Sequence, residues 1–154
     1  MRLSKEQHPE ISLRQYVTRR NGVSLGSNGS LQNMLQRSFG ANSFAGFWRY
    51  WNPIFGYYLG KYVFGPASRF MPRWLALIFT FLICGGLHDI VTLLFRGSTQ
   101  LLFTFWFFFF SIGLIIGETV GMNMVRHSFW LRAAVHLTYL SICLLLATST
   151  QRLF

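Results

Sequence analysis

Residues 74–95 form an almost unbroken apolar stretch, interrupted by one adjacent pair of ionisable residues, His88 and Asp89. At about 1.5 Å per helical residue, the stretch is long enough to cross a hydrocarbon core about 30 Å thick. Inside such a core each backbone N–H and C=O must find its partner within the protein, which commits the segment to helix. Two further apolar stretches follow, residues 101–117 and 133–148, with a polar break between them. The expected fold class is an all-α integral membrane protein. It would have about three transmembrane helices, an amphipathic interfacial or re-entrant helix, and a basic N-terminal arm.

The composition agrees. Hydrophobic residues make up 52% of the chain and charged residues only 12%, too apolar a balance for an ordinary soluble domain. Four acids, Glu6, Glu10, Asp89 and Glu118, stand against fourteen Lys and Arg residues, a formal charge of +10. Nucleic-acid phosphates attract such a charge. Beside apolar spans, however, basic residues find anionic headgroups, each gaining on the order of 1 kcal/mol. Membrane lipid is therefore the expected partner, and nucleic acid is not. Basic residues crowd the N-terminal side of the first span, and Arg126 and Arg132 precede the third. Arg96 and Arg152 stand alone on the other side. This asymmetry predicts a multi-pass protein with a cytoplasmic N-terminus.

Residues 1–43 read as a polar, basic arm, flexible through Asn21-Gly22 and Gly26-Ser27-Asn28-Gly29-Ser30, with at most a short amphipathic turn at residues 31–37. With no apolar signal near the start, the first span is expected to direct its own insertion. Residues 44–154 are the membrane-embedded core. Its first part mixes Trp48, Tyr50, Trp51, Tyr57, Tyr58 and Tyr62 with Arg49, Lys61, Arg69 and Arg73, a blend that prefers the membrane interface. Asn52-Pro53 reads as a helix start, and the helix is expected to stop before Gly65-Pro66. The run from Phe107 to Phe110 reads as lipid-facing or packing surface, and Cys84 and Cys143 as small hydrophobes.

The candidate chemistry lies at His88-Asp89, because an ionisable residue at that depth faces a cavity or a partner and marks a functional site. A neutral imidazole accepts a proton from a hydroxyl. Gly85-Gly86 clears side chains beside it, so another backbone or a substrate can approach. Blander roles are a hydrogen bond between helices for His88, a pairing with an interfacial Arg for Asp89, and plain packing for His136. Adjacent helical positions diverge by about 100°, so Asp89 need not orient His88. Cys84 and His88 share a face, but two ligands are too few for a metal site.

Three linked motifs carry a resemblance. Phe47-Trp48-Arg49-Tyr50-Trp51-Asn52-Pro53, then Tyr62-Val63-Phe64-Gly65-Pro66, then Thr80-Phe81-Leu82-Ile83-Cys84-Gly85-Gly86-Leu87-His88-Asp89 resembles the membrane-bound O-acyltransferases, in particular their wax-synthase-like branch. The resemblance covers about residues 43–95. Cys84 stands where a Ser is usual, and Asp89 where Glu is commoner. The resemblance implies transfer of an acyl group from a thioester to a hydroxyl, with no bound cofactor and acyl-CoA as co-substrate. It makes His88 the general base and Asn52 a residue that positions donor or acceptor. Trp48, Arg49, Trp51 and Asp89 would be substrate-binding residues. Members of the family carry more spanning helices, which implies a homo-oligomer or a second membrane subunit as partner. The alternative is a catalytically inactive small membrane protein that binds lipid or a partner membrane complex.

Overall fold

A computed structural model describes residues 11–153; the first ten residues of the basic arm and Phe154 lie outside the described residues. Three long helices form the membrane-embedded part: α6 (Arg73–Arg96), α7 (Leu102–Thr119) and α8 (Phe129–Gln151). Each is long and apolar enough to cross a membrane. Among the described residues every regular element is helical. Their limits match the expected spans to within a few residues, α6 and α8 running slightly past both expected ends and α7 starting one residue later and ending two later. Natural stops are Gly97 in the left-handed region after α6, and Ser128, which caps Leu131 N–H at the start of α8.

The connection after α6 is short, so α6 and α7 run antiparallel, and α7 lies between α6 and α8. Two close approaches set the spacing. A Cβ added to Gly85 on α6 would lie 2.5 Å from the Phe103 carbonyl oxygen of α7, and one added to Gly113 would lie 2.4 Å from the Tyr139 ring of α8. Small residues let helices meet at backbone distance where no water is present to drive association. Phe110, Tyr139 and Cys143 form the buried centre, with Phe44, Trp48, Trp106 and Phe107 packed around it. Phe110 thus belongs to the core rather than to a lipid-facing strip.

Five shorter pieces precede the spans: α1 (Leu13–Asn21), α2 (Ser30–Phe39), α3 (Phe44–Tyr50), α4 (Pro53–Leu59) and, beyond a π turn at Gly60–Phe64, α5 (Gly65–Ala67). The flexible arm expected up to residue 43 is therefore corrected over its described part, which holds α1 and α2. The physical reason is local. Ser12 and Gln15 close a reciprocal capping box at the start of α1, and Gly22 ends it in the left-handed region. Asn21 Nδ2 then ties α1 to α2 through the Ser30 carbonyl, 3.0 Å, and hydroxyl, 2.7 Å.

The interfacial helix also departs from expectation, since it continues through Gly65-Pro66 instead of stopping before them. The Gly65 N–H donates to the Gly60 carbonyl, five residues back. This wider turn accommodates a proline that has no N–H to give and whose ring would crowd a regular turn.

Candidate functional site

His88 sits on the α6 face that includes Arg73, Leu77, Thr80, Phe81 and Cys84, a stripe at helical spacing that lines one cavity. From Arg73 to His88 the stripe extends roughly 22 Å along the axis at about 1.5 Å per residue. The cavity, about 330 Å³, is also lined by Trp48, Arg49, Trp51 and Asn52. Five of the six residues singled out from the sequence are thus brought together, although Asn52 stands 36 positions before His88.

The imidazole is held on several sides. Phe107 stacks on it at 5.2 Å between centroids, Phe103 lies at 5.5 Å, and Phe55 of α4 meets it edge-on at 5.9 Å. Its Nδ1 lies 2.8 Å from the Cys84 carbonyl oxygen. A carbonyl only accepts, so Nδ1 carries the hydrogen of this bond and Nε2 of the neutral ring keeps its lone pair. His88 is nevertheless exposed rather than enclosed by protein. The burial expected from its depth in the span is not supplied by the chain itself.

Asn52 begins α4 with φ 40° and ψ 70°, a left-handed conformation that Asn tolerates better than most side chains. Its Oδ1 accepts the Phe55 N–H at 3.3 Å. This is the helix cap read from Asn52-Pro53, and it leaves the NH₂ end of the amide as the half able to donate to a carbonyl. One short helix therefore presents both Asn52 and the Phe55 ring that touches His88. Trp48 and Trp51 are half-buried on the wall, and Arg49 is exposed.

Asp89 does not line this cavity. It is 2% exposed and turned to the first turn of α7. One carboxylate oxygen accepts from Thr99 Oγ1 at 3.2 Å and Phe103 N–H at 3.1 Å, and the other from Thr104 N–H and Oγ1, both at 2.7 Å. The arginine pairing and the substrate-binding placement expected for Asp89 thus give way to a structural one. The reason is that α7 begins after Leu101, a residue with no side-chain acceptor, so its free N–H groups need a carboxylate from α6. The divergence of neighbouring helical positions sends His88 and Asp89 to different partners, as their spacing implied.

His136 takes the packing role: it is fully buried, with Nε2 3.0 Å from the Ala41 carbonyl oxygen and Phe44 and Phe47 against its ring.

The sequence reading passed over several cavity residues. Phe107, Leu114 and Glu118 share one face of α7; their spacing of seven and four was the available signal, obscured by the uniformly aromatic run. Tyr16 and Arg20 come from α1, which lay in the supposed flexible arm. Arg73 and Glu118 mark one end of the cavity, because α6 starts where α7 finishes. Arg49 belongs to the same end, since it shares a neighbouring pocket with Glu118. This end is basic on balance, and the opposite end carries His88 among phenylalanines.

No family model matches the chain, and no curated protein or solved structure matches it. The comparisons leave the assignment to the site's own chemistry.

Proposed function

We propose that this protein is a membrane O-acyltransferase that moves an acyl group from a thioester, acyl-CoA by preference, to a hydroxyl acceptor. The observation that carries the proposal is His88 with its Nδ1–H committed to the Cys84 carbonyl, at the end of a cavity shared with Asn52. In this reading Nε2 takes the proton of the acceptor hydroxyl as its oxygen attacks the thioester carbonyl carbon. The C–S bond breaks, the thiolate leaves, and the proton passes from His88 to the thiolate. The Asn52 NH₂ donates to the carbonyl oxygen as negative charge builds on it. Arg20, Arg49 and Arg73 along the cavity suit a phosphate-bearing donor, and the aromatic wall suits an acyl chain.

The experiment is acyl transfer in native-like membranes from labelled acetyl-CoA and long-chain acyl-CoA to a panel of alcohols. Product that disappears in His88→Ala supports the reading; product formed equally by His88→Ala overturns it. A competing reading, an inactive binder of lipid or of a partner membrane complex, draws on the outward face of α6, where Ile90, Leu94 and Phe95 are exposed. It predicts no acyl product with any donor, together with lipid or partner binding that survives both His88→Ala and Asn52→Ala.

A further inference from the structure

A second pocket, about 400 Å³, lies at the end of the bundle where α8 begins, and it is lined by three arginines from three elements: Arg37 of α2, Arg49 of α3 and Arg132 of α8. Among the described residues no carboxylate lines it. Arg132 Nη1 donates to Asn42 Oδ1 at 2.6 Å, while its Nε–H is buried and donates to nothing among the described residues. Arg37 Nη1 donates to the Arg20 carbonyl at 3.1 Å and leaves the other donors of its guanidinium. Three guanidiniums line a cavity that no described carboxylate lines, Glu118 standing instead in neighbouring pockets that share Arg49. Such a cavity suits an anion, and a phosphate matches the forked donors.

Next to this pocket, along the same pair of helices, runs an apolar groove of about 660 Å³ lined by Leu31, Leu35 and Phe39 of α2 and by Phe129, Ala133 and Leu137 of α8. The two spaces adjoin where α2 meets α8: a Cβ added to Gly40, which lines the pocket, would lie 3.1 Å from the Phe129 ring, which lines the groove. Leu31 is 66% and Trp130 80% exposed, so the groove rim is open. α8 is long and apolar enough to span the membrane, and the mainly apolar walls of the groove along its first turns suit an alkyl chain.

We propose that this paired feature is a binding site for one anionic phospholipid, its phosphate among Arg37, Arg49 and Arg132 and one acyl chain between α2 and α8. Basic pockets beside spanning helices hold anionic headgroups by this combination of charge and alkyl contact. The site adjoins the His88 cavity at Arg49, which lines both, but neither Arg37 nor Arg132 lines that cavity, and the lipid site stands whether or not acyl transfer is the activity.

The test is native mass spectrometry of the full chain in detergent, offered equal amounts of phosphatidylglycerol and phosphatidylcholine with identical chains. The wild type is expected to retain the anionic lipid in preference by about tenfold, and Arg37→Gln/Arg132→Gln to fall within about twofold of parity. Arg126→Gln, a basic residue outside the pocket, is expected to keep the preference. If the double glutamine variant loses its helical circular dichroism, Arg37→Lys/Arg132→Lys replaces it, with a several-fold loss expected because the forked donors are gone. Equal retention of the two lipids by the wild type, or a preference unchanged in the double variant, overturns the proposal. Displacement of the lipid by free glycerol phosphate at equal concentration also overturns it, by removing the role of the groove.

Discussion

Replacing Asp89 tests how α7 is held, and the size of the effect follows from its four hydrogen bonds. In Asp89→Ala the Phe103 and Thr104 N–H groups lose their acceptor inside an apolar bundle, where water does not replace it. An unmade buried bond of this kind costs about 1–3 kcal/mol, so two cost about 2–6 kcal/mol, with a fraction more from the lost charge at the helix N-terminus. The Thr99 and Thr104 hydroxyls can rotate towards other acceptors and add little. We expect a loss of about 3–5 kcal/mol for Asp89→Ala. Asp89→Asn keeps one acceptor but turns an NH₂ towards a donor, and should lose about 2 kcal/mol. The assay is reversible unfolding in detergent followed by tryptophan fluorescence, paired with amide exchange at Phe103 and Thr104. Both variants within about 0.5 kcal/mol of wild type, with exchange unchanged, would refute the capping argument.

Other substitutions probe the site and its frame. His88→Gln should lower acyl transfer by about 10²–10⁴-fold with the helical signal intact, measured with labelled acyl-CoA. Asn52→Asp keeps the cap on Phe55 and tolerates the positive φ, so it should melt close to wild type while losing activity with its NH₂ donor; Asn52→Ala should lose both, at about 1–2 kcal/mol of stability. Gly85→Ala places a methyl 2.5 Å from a backbone oxygen and should destabilise by about 1–3 kcal/mol, whereas Gly86→Ala, whose nearest neighbour is 4.0 Å away, should be tolerated; melting temperatures compare the two.

What the sequence revealed depended on how local the governing interaction was. The three spans were legible because hydrocarbon thickness acts on contiguous residues. His88 stood out because an ionisable group at that depth needs a reason. Asn52-Pro53 was legible as a cap because the bond it makes reaches only to Phe55. Asp89 was misjudged because its partners lie 10 to 15 positions away on another helix, and nothing in the run around it records them. The helices α1 and α2 were passed over because polar composition dominated the reading. Their evidence was smaller: the Ser12 and Gln15 pair, and the glycines that follow Asn21 and Phe39. The cavity itself depends on α1, α3, α4, α6 and α7 meeting, which no single stretch of chain specifies.

The π turn at Gly60–Phe64 acts as a change of phase. In a regular α-helix each residue advances by about 100°, so Phe64, nine positions after Phe55, would face nearly the opposite way. A turn closed five residues back rotates less per residue, and it returns Phe64 to the side that carries Phe55 and Leu59. The Phe64 ring then lies 5.5 Å from the Arg73 guanidinium at the head of α6. A proline that the helix could not otherwise absorb thereby aligns two half-turns of wall. Shortening the turn by one residue would swing Phe64 off the wall and away from Arg73, opening the basic end of the cavity.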